Sequence, residues 1–295
     1  MSVGVIGAGK WGSALAFAFS QKSDVVITSR TPRDIKNFVS LEEVLRCEYI
    51  IITVPAQSVA LWLKNNFKFK GQKILVASKG IEASSGRFLN EIYEKYVPDE
   101  NIAYLSGPSF AVEVMQSLPT ALVVNSTNER LSSEFVKLLP DFIKGYSSFD
   151  VMGAEIAGAY KNVIAIAAGI CSGLKLGNNA AAALISRGLV EMQRFGRAYG
   201  AEDDTFVGLG GAGDLFLTAS SEMSRNFRVG LGLALGKSQS EILEELGEVA
   251  EGIGTSYALY EISKKDNLYL PIAIEVYHML EGKSPQESLR DLLSK

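Results

Sequence analysis

The stretch GAGKWG at residues 7–12 gives the clearest indication of the fold at the start of the chain. It follows a β-rich run that ends at Ile6 and precedes a stretch rich in helix formers. Between a strand and a helix, a G-x-G-x-x-G turn is typical of a site for the pyrophosphate of a dinucleotide. Gly7 permits the tight turn, Gly9 lets the backbone approach the anion, and Gly12 allows the helix to pack closely on the strand. The stretch therefore predicts a dinucleotide site at a helix N-terminus; the alternative is a tight βα turn without a ligand.

The first half of the chain alternates between short β-rich runs and helical or loop stretches. This alternation predicts an α/β fold with a Rossmann-type, doubly wound parallel sheet. From about Val151 the β signal fades and helical patterns follow one another, one of them with a predicted capping box at SPQE (284–287). We expect a dinucleotide-binding domain over residues 1–150 and an all-helical substrate and catalytic domain over residues 151–295. The predicted strands are VGVI (3–6), VVIT (25–28), YIIIT (49–53), KILVAS (73–78), IAYL (102–105) and TALVVN (120–125).

The composition is that of a soluble globular protein with room for two domain cores: 295 residues, 47% hydrophobic, 21% charged and a net charge of -4. This balance gives no electrostatic reason to expect a nucleic acid or an anionic membrane as partner. The longest apolar run is shorter than the roughly 20 residues that span a bilayer. Strand-like sequence begins at Val3, which leaves no room for a signal segment, so we expect a cytoplasmic protein. Cys47 and Cys171 lack metal-ligand spacing, so we expect reduced cysteines and no metal.

The sequence after the second predicted strand bears on which dinucleotide binds. An NAD site usually carries an acidic residue there, which holds the ribose 2′-hydroxyl. This chain instead reads SRTPR at residues 29–33. Because a cation at Arg30 suits a 2′-phosphate, we expect NADP(H) to be preferred and NAD(H) to be accepted. The alternative is that Arg30 and Arg33 are solvated loop charges, which would leave the selectivity open.

A nicotinamide enzyme needs a side chain that gives or takes a proton, and Lys161 is the best candidate. It is the one charge in AGAYKNVIAIAAGI (157–170), which otherwise has the composition of a buried helix. Burial lowers the pKa of a lysine toward the range of an acid-base catalyst. The alternative is a lysine whose stem is buried and whose amine reaches water. We interpret the single histidine, His278, as structural, and YEISK (260–264) lies too near the C-terminus for the Tyr-x-x-x-Lys pair of short-chain dehydrogenases.

Two further clusters have the residue types of an oxyanion site. GLGGAGDLFLT (208–218) places Asp214 after a Gly-rich bend, and SRN (224–226) follows it. Arginine makes forked hydrogen bonds to a phosphate, and serine and asparagine supply further donors. Taken alone, the first cluster is better explained as a loop aspartate and the second as a polar helix start.

Seven motifs in order along the chain resemble those of the bacterial NAD(P)-dependent sn-glycerol-3-phosphate dehydrogenase family. They are GAGKWGSALA (7–16), SKGIE (78–82), SGPSFA (106–111), GAYKNVIAIAAG (158–169), GLGGAGDL (208–215), SRN (224–226) and AEG (250–252). The resemblance spans almost the whole chain. It implies a fold like that of 6-phosphogluconate dehydrogenase, and the interconversion of dihydroxyacetone phosphate and glycerol 3-phosphate, which feeds phospholipid synthesis. Because members of the family are often dimers, it also implies a homodimer.

The resemblance implies roles for individual residues. Lys161 matches the family's general acid-base group, and Asp214 matches a substrate-site acid that orients the lysine or a substrate hydroxyl. The implied substrate positions are Lys79, Gly107, Ser109, Lys161, Asp214, Ser224, Arg225 and Asn226. The implied cofactor positions are Gly7, Gly9, Lys10, Trp11, Gly12, Arg30, Lys79, Ala111, Arg225, Val249 and Glu251.

One segment departs from the family's pattern. Between TSRTPRDI (28–35) and SLEEVLRC (40–47) the family usually carries a longer stretch, whereas this chain has only KNFV (36–39). Whatever that stretch contributes near the adenosine is absent or rebuilt here. Two other functions stay open: a reductase of the same architecture that acts on a hydroxy acid such as ketopantoate or 6-phosphogluconate, and a regulatory protein that binds NADPH without chemistry. The alternating first half argues against a third, an extended helical interaction module.

Overall fold

The structure is a computed structural model that describes residues 1–294. Contacts between residues separate the chain into two units. The first unit consists of Met1–Ser78 and Asn90–Ala154, and the second consists of Lys79–Leu89 and the chain from Glu155 onward. The predicted boundary between the two domains stays a prediction. One short segment, Lys79–Leu89, comes from the first half of the chain and packs with the second unit.

A single seven-stranded sheet forms the centre of the first unit. Its strands are β1 (Ser2–Ile6), β2 (Asp24–Thr28), β3 (Tyr49–Ile52), β4 (Lys73–Val76), β5 (Ile102–Ser106), β6 (Thr120–Asn125) and β7 (Ile143–Ser148), in the order β2-β1-β3-β4-β5-β6-β7. The expected doubly wound parallel sheet is confirmed over the first five strands. The sheet differs from the expectation at its far end, where β6 runs antiparallel to β5 and β7 adds an unpredicted strand. Strand β7, IKGYSS, lacks a run of apolar residues because most of its side chains are not buried.

The helices of the first unit lie between its strands in the chain. They are α1 (Lys10–Ser20), α2 (Leu41–Val44), α3 (Ala56–Asn66), α4 (Leu89–Tyr93), α5 (Ala111–Met115) and α6 (Glu129–Leu138), with a 3₁₀ turn at Asp99–Asn101. A strand covered on both faces carries a continuous apolar run, as in the fully buried YIII of β3. Because β1, β3, β4 and β5 are parallel, the loops that follow them lie along one edge of the sheet.

The short stretch KNFV rebuilds the edge of the sheet beside β2. The Ile27 N–H donates to the Asn37 carbonyl at 3.0 Å, and the Val39 N–H donates to the Ile27 carbonyl at 2.9 Å. Asn37 adopts a left-handed backbone (φ 60°), and its side-chain amide donates to the Val25 carbonyl at 2.9 Å. Four residues thus cover the edge of β2, which is otherwise open to pairing with another chain.

The second unit is helical, as expected. Its helices are α7 (Val151–Gly173), α8 (Asn178–Ala198), α9 (Asp203–Val207), α10 (Asp214–Ala219), α11 (Arg225–Ala234), α12 (Gln239–Leu246), α13 (Glu251–Lys265), α14 (Pro271–Leu280) and α15 (Pro285–Ser294), with a π-helical turn at Leu209–Gly213. The predicted N-cap of the last helix is present, since Ser284 Oγ accepts from the Glu287 N–H at 3.2 Å. By length and composition α7 would suffice to cross a membrane, but 89% of that window is buried in the protein. We therefore interpret α7 as the core helix of this unit.

Helices α7 and α11 cross at backbone contact. A side chain at Gly230 would lie 2.0 Å from the Ile166 carbonyl oxygen, and one at Gly169 would lie 2.0 Å from the Phe227 carbonyl oxygen. Only glycine fits at either position without displacing backbone. This crossing holds the first turn of α11 beside the middle of α7.

We predict that Gly230→Ala lowers the free energy of unfolding by about 2 kcal/mol or more, because the added methyl forces the two helices apart. Urea unfolding followed by far-UV circular dichroism measures the change. Leu235→Ala is the control, since Leu235 is 72% exposed and its truncation should change stability by no more than about 0.5 kcal/mol. Coincident unfolding curves for Gly230→Ala and the parent protein would contradict the close crossing.

Candidate active site

The Gly-rich turn after β1 has the conformation that the sequence predicts. Gly7 has φ +108°, and its N–H donates to the Thr28 carbonyl at 2.8 Å. A side chain at Gly12 would lie 1.8 Å from the Gly7 carbonyl oxygen, so packing requires glycine there. A side chain at Gly9 would meet no protein atom within 4 Å. Packing within the protein therefore accounts for the glycines at 7 and 12, and Gly9 leaves backbone open to a ligand.

Thr53 braces this turn from the neighbouring strand. It follows β3, and its Oγ1 lies 3.0 Å from the Ile6 carbonyl oxygen and 3.2 Å from that of Gly7. Its N–H also donates to the Ile6 carbonyl at 2.8 Å. Sequence reasoning missed Thr53 because a threonine at the end of a β-rich run is unremarkable until its neighbour in the sheet is known.

The turn fits the pyrophosphate of a dinucleotide. Helix α1 begins at Lys10, and its N-cap, Gly9, has no side chain with which to cap the first-turn N–H groups. A helix start of this kind binds anions. The indole N–H of Trp11 donates to the Ala77 carbonyl at 3.0 Å, which fixes that ring over the loop after β4. Arg30 is exposed in the loop after β2.

The loop after β5 carries the other predicted residues of the first unit. Gly107 has φ +111°, and a side chain there would lie 2.9 Å from the Ala121 carbonyl oxygen. Ser109 Oγ donates to the Gly107 carbonyl at 3.1 Å. Ala111 begins α5 and packs on the apolar core of the sheet. This loop and the Gly-rich turn both follow strands of the parallel part of the sheet, so they share its carboxyl edge.

The second unit brings three predicted residues into direct contact. Lys161 Nζ lies 2.5 Å from Asp214 Oδ1, and Lys79 Nζ lies 2.5 Å from Asp214 Oδ2. Lys161 is 7% exposed and Asp214 is 2% exposed. The interpretation of Lys161 as a lysine that reaches bulk water is therefore wrong. One buried carboxylate is shared between two ammonium groups, each on its own oxygen.

The π-helical turn and α10 place Asp214 and its neighbour Thr218. A side chain at Gly211 would lie 2.2 Å from the Phe206 carbonyl oxygen, so this bend is packed tightly against α9. One helical turn after Asp214, Thr218 Oγ1 accepts from Lys161 Nζ at 3.0 Å and donates to the Asp214 carbonyl at 2.6 Å. An ammonium has three N–H donors. With Asp214 and Thr218 as partners, Lys161 has a third N–H for a substrate.

Burial and the shared carboxylate set the proton affinity of this cluster. Burial lowers the pKa of Lys161 from 10.5 to about 8, Asp214 opposes that change, and the charge of Lys79 adds to it. Burial acts to raise the pKa of Asp214, but the two ammonium groups outweigh it and hold that pKa below its usual value. The three groups carry one net positive charge when both lysines are protonated. Loss of one proton from Lys161 would leave the buried cluster neutral.

Two family models match this chain, the N-terminal model of NAD-dependent glycerol-3-phosphate dehydrogenase over residues 28–132 and its C-terminal model over residues 150–290. The chain belongs to this family. Glycerol-3-phosphate dehydrogenase (NAD(P)+) of Sulfurimonas denitrificans is 72% identical over 292 residues, covering 99% of each chain. The enzyme of the same name from Nitratiruptor is 60% identical, covering 100% of this chain and 99% of that one. The crystal structure of the Coxiella burnetii glycerol-3-phosphate dehydrogenase has a TM-score of 0.92 and 32% identity, covering 100% of this chain and 99% of that one.

The Ser-Arg-Asn triplet of this glycerol-3-phosphate dehydrogenase family member starts α11. Ser224 is its N-cap and accepts from the Phe227 N–H at 3.2 Å. Arg225 is partly exposed, and its Nη1 lies 3.4 Å from Glu248 Oε2. The Arg225 guanidinium lies at a helix N-terminus, where its charge and the helix dipole both favour a bound anion.

Asn226 joins three helices instead of standing free. Its Nδ2 donates to Asn162 Oδ1 at 2.9 Å, and its Oδ1 accepts from the Gly252 N–H at 2.9 Å. These bonds tie α11 to α7 beside Lys161 and to the first turn of α13, where Glu251 begins the helix. Val249, just before it, is 50% exposed.

The predicted site residues therefore divide between the two units. The first unit holds the Gly-rich turn with Lys10 and Trp11, Arg30, and the Gly107 loop; the second holds the remaining predicted residues. Sequence reasoning missed Asn162 and Thr218, both of them buried polar residues in apolar helices. Asn162 stands directly after Lys161, and a second polar residue in that run was a usable signal. Among residues 1–294, no group of three His, Cys, Asp or Glu side chains is arranged to hold a metal ion.

His278 and the YEISK motif take part in surface packing. The His278 ring packs edge-on against Tyr260 and Tyr277, with ring centroids 5.6 Å and 5.4 Å away. The Lys264 ammonium lies 3.9 Å from the centroid of the Tyr260 ring. The Tyr-x-x-x-Lys pair is thus a cation–π contact on α13.

Proposed function

We propose that this chain is an sn-glycerol-3-phosphate dehydrogenase that interconverts dihydroxyacetone phosphate and glycerol 3-phosphate with NADP(H) or NAD(H). The observation that carries the proposal is the buried Lys161, which shares the Asp214 carboxylate with Lys79. Two relatives with more than half of their residues identical to this chain, along nearly their whole length, bear this name. We further propose that the protein is cytoplasmic. As the family resemblance implies, we also propose that it is a homodimer and that its product supplies phospholipid synthesis.

In this proposal Lys161 is the general acid-base group. The nicotinamide, when bound, supplies a hydride to C2 of dihydroxyacetone phosphate or accepts one from glycerol 3-phosphate. As C2 is reduced, its oxygen gains negative charge, and Lys161 Nζ gives that oxygen a proton. In the oxidative direction the neutral amine takes the proton of the C2 hydroxyl. Asp214 and Thr218 hold the amine in place for both directions.

The cluster suits this exchange because it gives up one positive charge as negative charge develops on the C2 oxygen of the substrate. Before reduction, two ammonium groups face one carboxylate, and the excess positive charge favours an electron-rich oxygen nearby. After the transfer, Lys161 is neutral and Lys79 keeps the ion pair with Asp214. No unpaired charge is then left in the buried cluster, and leaving one would be costly.

We assign the substrate's phosphate to the start of α11. Arg225 supplies the charge, and the helix N-terminus adds a favourable dipole. Because Asn226 is held by Asn162 and Gly252, it also keeps α11 in register with the lysine helix. The other proposed substrate positions are Lys79, Gly107, Ser109, Lys161, Asp214 and Ser224.

We assign the dinucleotide to the Gly-rich turn, with the pyrophosphate at Gly9. The exposed Arg30 favours NADP(H), since no acidic residue stands at the end of β2 to hold a 2′-hydroxyl. The other proposed cofactor positions are Gly7, Lys10, Trp11, Gly12, Lys79, Ala111, Arg225, Val249 and Glu251.

The two other functions are less well supported. A reductase for a hydroxy acid would not account for the names of the two relatives described above, which both specify glycerol 3-phosphate. A protein that only binds NADPH has no use for a buried lysine with a lowered pKa beside a carboxylate. Oxidation of NADPH on adding dihydroxyacetone phosphate, and not ketopantoate, distinguishes the three.

We predict that Lys161→Met lowers kcat for dihydroxyacetone phosphate reduction by about 10²- to 10⁴-fold, because the proton donor is lost. NADPH binding, measured by fluorescence titration, should change little. Loss of NADPH absorbance measures the rate, and Lys265→Met on the exposed end of α13 is the control. Parent-like turnover in Lys161→Met would show that another group transfers the proton.

The pH dependence should have opposite signs in the two directions. Reduction needs the ammonium form of Lys161, so kcat/KM for dihydroxyacetone phosphate should be level at low pH and fall about tenfold per unit above a midpoint near the pKa of about 8. Oxidation needs the neutral amine, so kcat/KM for glycerol 3-phosphate should rise up to the same midpoint and then level off. Profiles that bend the same way in both directions would contradict the assignment.

We predict that Arg30→Ala raises KM for NADPH by about 10- to 100-fold, since a charged hydrogen bond to the 2′-phosphate is lost. KM for NADH should stay within about twofold of the parent value, because NADH lacks that phosphate. Arg33→Ala, in the same loop, is the matched control. Equal changes with both dinucleotides would remove Arg30 from the selectivity site.

A further inference from the structure

Lys79 reaches Asp214 from a segment that crosses from the first half of the chain into the second unit. We call this segment, Lys79–Leu89, the strap. The chain is in the first unit up to Ser78 and again from Asn90. The position of Lys79 in the cluster therefore depends on what fixes the strap to the helices, and this inference rests on the function proposed above.

The strap is closed on itself as a small hairpin. Ile81 and Phe88 pair in an antiparallel bridge. The Glu82 N–H donates to the Arg87 carbonyl at 3.0 Å, and the Gly86 N–H donates to the Glu82 carbonyl at 2.8 Å. The buried Glu82 carboxylate accepts hydrogen bonds from the Ser85 hydroxyl and the Arg87 guanidinium. A hairpin closed in this way can hold its first residue in place only if it is itself anchored.

Phe88 is that anchor. It is 1% exposed, and its ring packs against Phe195 of α8 and against Tyr199, the C-cap of that helix, with centroids 6.2 Å and 5.3 Å away. Phe195 also packs against Tyr160 of α7, at 5.4 Å. Tyr160 is the neighbour of Lys161 in the chain. One aromatic cluster therefore supports both the strap that carries Lys79 and the helix that carries Lys161.

Gly158 provides the path of the Lys79 side chain. A side chain at Gly158 would lie 3.2 Å from both Cγ and Cδ of Lys79. Gly158 stands on α7 one turn before Lys161, so the aliphatic stem of Lys79 passes directly over that turn. These contacts are tighter than ordinary van der Waals distance, so a methyl group at this position would require the Lys79 stem to shift.

We propose that Phe88 and Gly158 are positioning residues for the acid-base cluster. Phe88 anchors the strap from which Lys79 extends, and Gly158 leaves the space through which its side chain reaches Asp214. Neither touches the reacting atoms. Both act through Lys79, which occupies the second oxygen of the carboxylate that Lys161 uses.

The consequence is a change in how readily Lys161 gives up its proton. The charged groups that face Lys161 are the Asp214 carboxylate from α10 and the Lys79 ammonium from the strap. If Lys79 moves away, Lys161 loses a like charge and keeps the carboxylate to itself. Its ammonium form is then favoured, so the alkaline fall in the rate of reduction moves to higher pH.

The experiment compares pH profiles of kcat/KM for dihydroxyacetone phosphate reduction. Lys79→Ala should move the alkaline midpoint up by about one pH unit, a tenfold change in proton affinity. Phe88→Leu and Gly158→Ala should each give part of that shift. In the Lys79→Ala background both should give none, because the side chain they position is gone. Alanine favours a helix more than glycine does, so Gly158→Ala remains informative if Phe88→Leu does not fold.

Phe135→Leu is the matched control, because Phe135 is a fully buried ring in the first unit and its profile should stay that of the parent. Midpoints unchanged in Gly158→Ala and Phe88→Leu, or shifts that persist without Lys79, would overturn the positioning role. If the parent protein does not reduce dihydroxyacetone phosphate at all, the proposed function fails instead. If the parent protein is active and the midpoints of the variants do not shift, the positioning role is wrong but the proposed function stands.

Discussion

One buried carboxylate shared by two lysines is the interaction on which the second unit depends. Removing water from an ammonium group is costly, and Asp214 offsets only part of that cost for Lys161. The charge of Lys79, on the other carboxylate oxygen, acts against that offset. The surrounding structure maintains this arrangement: the tight π-helical turn places Asp214, and the glycine contact between α7 and α11 holds the start of α11 beside the lysine helix. The result is a lysine whose pKa is lowered to about 8, so that it can both give and take a proton.

The first unit meets a different constraint, which is to pack the start of α1 tightly on the sheet while leaving backbone at the turn open. Parallel strands end at one edge of the sheet, and there the chain uses Gly7 and Gly12 for packing and leaves Gly9 open. Thr53 on the adjacent strand fixes the turn from the side. Asn37 bonds to the edge of β2, so this edge of the sheet is covered even though the connection from β2 to β3 is short.

Residues whose role follows from local pattern could be predicted from the sequence, and residues whose role follows from distant neighbours could not. The Gly-rich turn and the lone charge of the Lys161 helix stand out in their own segments. By contrast, nothing in SKGIE indicates that Lys79 packs with the helical unit, because Phe88 and its partner Phe195 on α8 are far apart in the chain. Strand β7 was missed for want of an apolar run, and Thr218 because a buried hydroxyl has meaning only beside its amine.

Lys161 holds its proton far more weakly than an ordinary lysine. NMR titration of protein labelled with ¹³C at lysine Cε measures this directly, and Lys161→Arg assigns the signal by removing it. We expect one lysine resonance that titrates with a midpoint near the pKa of about 8 and is missing from the variant. If the resonance lost in Lys161→Arg titrates together with the surface lysines, near their usual pKa of about 10.4, Lys161 does not have a lowered pKa and is not suited to the proton transfer proposed for it.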